Sequence, residues 1–279
     1  MAERPLNDRH ILITGGATGI GLACATRLRA DGAVVTLMGR RRDKLEESKA
    51  ALEAAGGPEV RIAAGDVANE DDVVAAVKVA VDGGGALHGA VAAAGTGTFG
   101  PILDTPREAW DTVLATNLTG TMLTIKHAGR AMRSGGGSIV TISSIAGVLT
   151  HRWMTAYCVS KAGVEMLTRN AADELGGAGI RVNSIRPGLV PTDLAAFLVG
   201  QPAVQADYLT QMPLHRLGTP EDIANLARFL IGPESTWVTG QVIAADGGHT
   251  LRRGPDLDGA AEQFLKASQQ RPWQGGLSA

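Results

Sequence analysis

Cysteine is nearly absent from this chain, and what there is makes no pattern. Cys24 and Cys158 stand alone, with no Cys-x-x-Cys pair and no cysteine or histidine spacing of the zinc type. That excludes a disulfide framework and a zinc module, so no metal site is expected. Two isolated cysteines are expected to pack as small apolar residues in a reducing compartment. An excess of charge is missing as well. The 26 basic and 28 acidic side chains leave a net charge of −2, which gives no reason to expect a nucleic acid or a membrane surface as partner. No apolar run approaches the roughly 18 residues of a membrane span. Met1 to Asp8 is short and charged and lacks the apolar core of a signal peptide, so the expected location is cytoplasmic. No internal repeat is visible.

What is present is a strong apolar content, 44% of 279 residues, arranged as alternating strand and helix patterns. His10 to Thr14 is a short β-branched run, and Gly15-Gly16-Ala17-Thr18-Gly19-Ile20-Gly21 follows it at once. A helical pattern then runs to about Ala30. A strand, a glycine turn and a helix start present free backbone N–H groups where a pyrophosphate binds. Ala33 to Met38 reads as the second strand. Where an NAD site of this type ends that strand in a carboxylate, this chain has Gly39, then Arg40, Arg41 and Arg42. A ribose 2′-phosphate would accept forked guanidinium bonds there, which favours NADP over NAD, with Arg40 the first contact and Arg41 the next. The plainer reading is a solvated basic turn. Val60 to Ala64 is a third strand, and the Asp66-Val67 pair after it either meets an adenine or closes a turn. Asn69 caps a helix to Val81 that Gly83-Gly84-Gly85 ends, and Leu87 to Ala94 is a buried fourth strand closed by Gly95. This order predicts a doubly wound parallel sheet of the Rossmann type with helices on both faces.

The second half carries the chemistry. Thr105 to Arg133 reads as one long helical region with Asn117 in its middle, a poor helix former in a place where it can have another task. Ser138 to Ser143 is the fifth strand, and Ser144 lies just past its carboxyl end, where open α/β sheets bind ligands. Tyr157 and Lys161 are four residues apart on a helix from Thr155 to Leu175, so both side chains leave one face. An ammonium beside a phenol favours the phenolate, and a tyrosine so tuned can pass a proton to or from a substrate oxygen. Arg181 to Ile185 is a sixth strand, Pro187 to Thr192 breaks the chain, Thr219 caps a helix, and Val242 to Ala245 is the seventh strand.

Together the glycine turn, Asp66, Asn117, Ser144, Tyr157/Lys161 and Pro187-Gly188 resemble the short-chain dehydrogenase/reductase family in its single-domain form, from about Arg9 to Gly248. Gly39-Arg40 is similar to the NADP-preferring members. The absence of a Tyr-x-x-Met-x-x-x-Lys pattern argues against the enoyl-reductase branch. β-Ketoacyl carrier-protein reductases are near relatives, but no acyl-carrier docking patch is evident. The resemblance implies Tyr157 as general acid, Lys161 as the group that lowers its pKa and holds the nicotinamide ribose, and Ser144 as donor to the substrate oxygen. It implies Asn117 as holder of a relay water, and Val190 and Thr192 as contacts to the carboxamide. It implies a small carbonyl or alcohol substrate and a homotetramer or homodimer. The rival reading is an NADP(H)-binding sensor or scaffold without turnover.

Two departures stand out. The usual Asn-Asn-Ala-Gly is here Ala92-Ala93-Ala94-Gly95, which is expected to cost strand ties and not chemistry. The family's fold ends near Gly248, whereas this chain continues from 249 to 279, with a helix pattern over Leu257 to Ala267 and a sharper reading as a cover over a neighbouring subunit's pocket. The domain is thus expected over 1–248, with residues 192–217 as substrate lid. Phe197 and Tyr208 in the lid, and His151 and Trp153 before Tyr157, are the candidate substrate contacts.

Overall fold

Seven strands, β1 (His10–Thr14), β2 (Val34–Gly39), β3 (Val60–Ala64), β4 (Leu87–Ala92), β5 (Gly137–Ile142), β6 (Ile180–Pro187) and β7 (Val242–Ala245), form one parallel sheet. The structure is a computed structural model that describes residues 5–82 and 86–251. The expected stop at Gly83 to Gly85 and the tail beyond Leu251, with its helix pattern, lie outside the described residues. Strand order is β3-β2-β1-β4-β5-β6-β7. The order reverses between β1 and β4, and at that switch point a crevice opens beyond the carboxyl ends of the strands.

Nine helices fill the connections among the described residues: α1 (Gly19–Ala30), α2 (Arg42–Ala54), α3 (Glu70–Val81), α4 (Arg107–Leu114), α5 (Gly120–Met132), α6 (Thr155–Leu175), α7 (Ala196–Val199), α8 (Pro202–Gln211) and α9 (Pro220–Ile231). The period of two along β1 decides the layers. Ile11 and Ile13 face a core built with α1, α2 and α9, while Leu12 faces the other core with α3, α5 and α6. None of these helices is long and apolar enough to cross a membrane. Cys24 is fully buried in the first core, and that burial pushes its thiol up to about 12.

The caps follow their chemistry. Asn69 accepts from the Asp71 N–H at 3.0 Å, and Thr219 with Asp222 forms a reciprocal capping box on α9. The expected single helix over 105–133 is instead two helices joined by a π-type turn, Ala115–Thr119. The wider turn carries Asn117 inward, fully buried, and such bulges recur at functional sites. The fourth strand ends at Ala92, two residues early, and His88 is only half-buried. The asparagine ties expected to be missing there are partly replaced. The Thr14 carbonyl accepts from the Ala93 N–H at 3.2 Å, and its hydroxyl accepts from Ala94 at 3.4 Å.

Candidate functional site

The crevice is two adjoining hollows that share Gly95. The first, about 160 Å³, is walled by Gly15, Thr18, Arg40, Arg41, Asp66 and Val67. Close backbone approach explains its glycines. Gly15 has φ +67°, and a Cβ on it would stand 2.8 Å from the Ala94 nitrogen. A Cβ on Gly21 would meet the Gly15 carbonyl, so Gly21 shapes the turn from behind. The start of α1 has no side-chain cap at Thr18 and no acidic residue in its first turn, leaving it open to an anion. Arg42 pairs with Glu46 at 3.6 Å, whereas no ion pair engages Arg40 or Arg41 among the described residues. Asp66 lines this hollow and also closes a turn, accepting from the Ala68 N–H at 3.0 Å. Both sequence readings of Asp66 are therefore compatible with its position. A dinucleotide fits this cradle of open helix end and bare glycines, with Arg40 and Arg41 at its edge.

The second hollow, about 280 Å³, holds Ile20, Pro187, Gly188, Val190 and Thr192 on the side nearer α1. Gly19 lies against Thr192, since a Cβ on it would be 3.1 Å from the threonine methyl. At the floor stand Ser144, Tyr157 and Lys161. Ser144 caps the single turn Ile145–Gly147, and its Oγ accepts from the Ala146 N–H at 3.1 Å. That leaves the hydroxyl proton to donate, and Ser144 is hydrogen-bonded to the Tyr157 phenol. The Lys161 ammonium lies 5.6 Å from the Tyr157 ring centre and donates to the Ile142 carbonyl at 2.8 Å.

Burial pushes the Tyr157 phenol above its usual value, with the Ser144 bond opposing. The same burial pulls Lys161 down to about 8. An ordinary lysine keeps its proton to 10.5, so between those values the unfolded chain binds more protons and stability rises with pH. Relative to Lys161→Met, the cofactor-free wild type should gain about 3 kcal/mol as the pH rises from about 7 to 10.5. Chemical denaturation across that range measures it, and a flat difference would contradict a buried ammonium.

Asn117 is not beside the substrate floor but behind Gly95. Its amide donates to the Thr96 carbonyl and to Ser160 Oγ, both at 2.9 Å, and its Oδ1 accepts from the Thr96 N–H at 2.8 Å. Both of its N–H donors are taken by protein, so the side chain ties the loop after β4 to α6, one residue from Lys161. Sequence reasoning missed the support beneath. Glu165, one turn beyond Lys161, receives a forked pair of 2.8 Å bonds from Arg186 and a third, at 2.9 Å, from Ser143 Oγ. The i, i+4 spacing from Lys161 was the only signal available.

Of the four candidate substrate contacts, His151, Phe197 and Tyr208 line the second hollow. Trp153 does not. It has φ +74° and stacks at 6.1 Å on Phe99, which does line the hollow and tilts against Phe197 at 5.3 Å. His151 Nδ1 faces the Leu149 carbonyl at 3.0 Å, so it carries the proton, and Nε2 accepts from the Tyr208 hydroxyl at 3.0 Å. Burial pushes that tyrosine up to about 12. The segment 192–217, expected from the sequence as a substrate lid, contains α7 and α8, and its Leu194, Phe197 and Leu198 line the hollow. Phe99 and Leu189 were not found from sequence; no local pattern marks them. Met154, expected at the rim from its place before Tyr157, does line the hollow.

A protein-family model described as Enoyl-(Acyl carrier protein) reductase matches residues 15–250. Before Lys161 the chain has Met154 and Tyr157, where a Tyr-x-x-Met-x-x-x-Lys pattern has tyrosine and methionine. The 2-(S)-hydroxypropyl-CoM dehydrogenase 3 of Xanthobacter autotrophicus is 40% identical over 250 residues, 88% of this chain and 98% of that protein. A glucose 1-dehydrogenase of Gluconobacter oxydans is 34% identical over 253 residues, 88% of this chain and 95% of its own. Among solved structures, a short-chain type dehydrogenase/reductase from Mycobacterium ulcerans is 45% identical with a TM-score of 0.86, covering 96% of this chain and 99% of its own.

Proposed function

The chain belongs to the short-chain dehydrogenase/reductase family, and from that premise we propose that it interconverts a ketone and a secondary alcohol with NADP(H), Tyr157 moving the proton. The observation that carries this reading is the meeting of Ser144, Tyr157 and Lys161 at one end of a crevice whose other end holds Arg40 and Arg41. A nicotinamide cofactor would supply a hydride in one direction and accept it in the other. The rest is work for the protein's own residues. Ser144 donates to the substrate oxygen, which becomes alkoxide-like, and Tyr157 gives that oxygen its proton. The upward shift of the phenol keeps it protonated near neutral pH, which suits it as donor in reduction. Lys161, charged below about 8, stabilises the negative charge that builds on the tyrosine oxygen as it gives up its proton. Asn117 and the Glu165–Arg186 pair hold α6 and the loop over Gly95 in register as positioning residues.

The preference for NADP rests on Arg40. A charge-assisted bond to a 2′-phosphate contributes about 1.5–3 kcal/mol, so Arg40→Ala should lower kcat/KM for NADPH by about 10- to 100-fold. The value for NADH should barely move. Steady-state kinetics with both cofactors decide it, and equal losses with both would remove the argument. A sensor without turnover is the outcome if NADPH binds and no carbonyl or alcohol reacts.

A further inference from the structure

We propose that the substrate is an uncharged ketone bearing an aryl or similarly flat hydrocarbon group, with its carbonyl at Ser144 and Tyr157 and its ring against Phe99 and Phe197. The inference deepens the reductase reading and rests on it. The distribution of aromatic side chains is the first support. With four tryptophans, two tyrosines and four phenylalanines, the chain is poor in them, and the two large cores on either side of the sheet are wholly aliphatic. Yet both tyrosines stand in this one cavity with Phe99 and Phe197, and Trp153 backs Phe99 from outside. The core does not need them.

Exposure is the second support. Phe99 is 56% exposed, Phe197 59% and Trp153 45%, although Phe99 stacks on Trp153 and tilts against Phe197. A contiguous apolar group left in water at a cavity mouth marks a place that a ligand covers. Leu189, Leu194 and Met154 continue the apolar wall inward.

The third support is what the cavity cannot offer. Lys161 is the one ionic side chain among the lining residues, and it is turned to the Ile142 carbonyl at the floor. Arg152 lies over the Trp153 ring at 5.9 Å and does not line the cavity. Among the described residues, a carboxylate, sulfonate or phosphate on the substrate would find no counter-charge in the lining beyond Lys161 and would lose its water. A polyol finds few partners, because both ring nitrogens of His151 are already engaged and Thr98 and Thr192 are the hydroxyls left in the described lining. Buried hydroxyls without partners are rejected strongly, whereas apolar bulk is read by contact.

The test compares acetophenone with acetone, a 2-oxo acid and a keto sugar as NADPH-linked substrates. Acetophenone should give the highest kcat/KM, and Phe99→Ala or Phe197→Ala should cut its advantage over acetone by about 10- to 100-fold, mainly through KM. Preference for the oxo acid or the sugar, or an unchanged aryl advantage in both variants, would overturn the proposal. Calorimetry on Tyr157→Phe protein loaded with NADP keeps the two readings apart. Acetophenone binding that weakens with Phe99→Ala, when the wild-type protein turns over no carbonyl, would sink the reductase reading and leave the pocket assignment standing. No binding and no turnover of the aryl ketone would sink the pocket assignment.

Discussion

Tyr157→Phe is expected to lower kcat by about 100- to 10,000-fold while leaving the affinity for NADPH within a fewfold of wild type. The substitution removes one oxygen from the cavity lining and leaves the ring, so the cavity keeps its shape. What is lost is the only buried acid hydrogen-bonded to Ser144 at the floor among the described residues. Lys161 keeps its bond to the Ile142 carbonyl, so the nearby backbone stays in place. Stopped-flow turnover and cofactor titration, run on the same preparation, separate the two effects. A variant that retained more than a tenth of wild-type kcat would show that another group, His151 the nearest by position, provides the proton.

The second large effect is structural. Glu165→Ala should destabilise the fold by about 3–5 kcal/mol, because it strands the Arg186 guanidinium in a site that is 15% exposed, beside a carboxylate that was 4% exposed. For a chain of this size that is a fall of roughly 6–20 °C in Tm. Arg186 directly precedes Pro187-Gly188 in the cavity wall, and Glu165 sits one turn past Lys161. Activity should therefore drop before the protein unfolds. The double variant Glu165→Ala/Arg186→Ala removes both charges and should recover part of the stability, since the cost lies in the unpaired ion and not in the missing bond. Differential scanning calorimetry of the two single variants and the double closes the cycle; strict additivity would mean the pair is not coupled.

These two residues show where sequence reading succeeds and where it stops. Tyr157 and Lys161 are legible because an i, i+4 pair states its own geometry once the helix is known, and α6 runs from Thr155 to Leu175 as the pattern predicts. The same holds for β1 and β7, whose bounds coincide with their apolar runs. Glu165 reads as one more solvated acid on that helix until β6 brings Arg186 under it. The π-type turn at Asn117 is invisible for a related reason. Helical periodicity carries through it, and the inward asparagine finds its partners only in the loop after β4, 21 residues away, and at Ser160 on α6. Phe99 and Trp153 meet across 54 residues of chain, so neither announces a cavity wall, and the nearness of Trp153 to Tyr157 in sequence misassigns it to the lining. The burial of both groups is equally hidden, because it cannot be read from an isolated helix face, and burial is the largest influence on each. Local geometry is written locally; desolvation and long-range pairing are not.

The measurement that bears most directly on the central claim is NADPH oxidation, followed optically, across a panel of ketones with NADH in parallel. The account predicts turnover that needs NADPH, vanishes in Tyr157→Phe and shifts away from NADPH in Arg40→Ala. Tight NADPH binding with no oxidation on any ketone, and no reduction of NADP by any secondary alcohol, would contradict it.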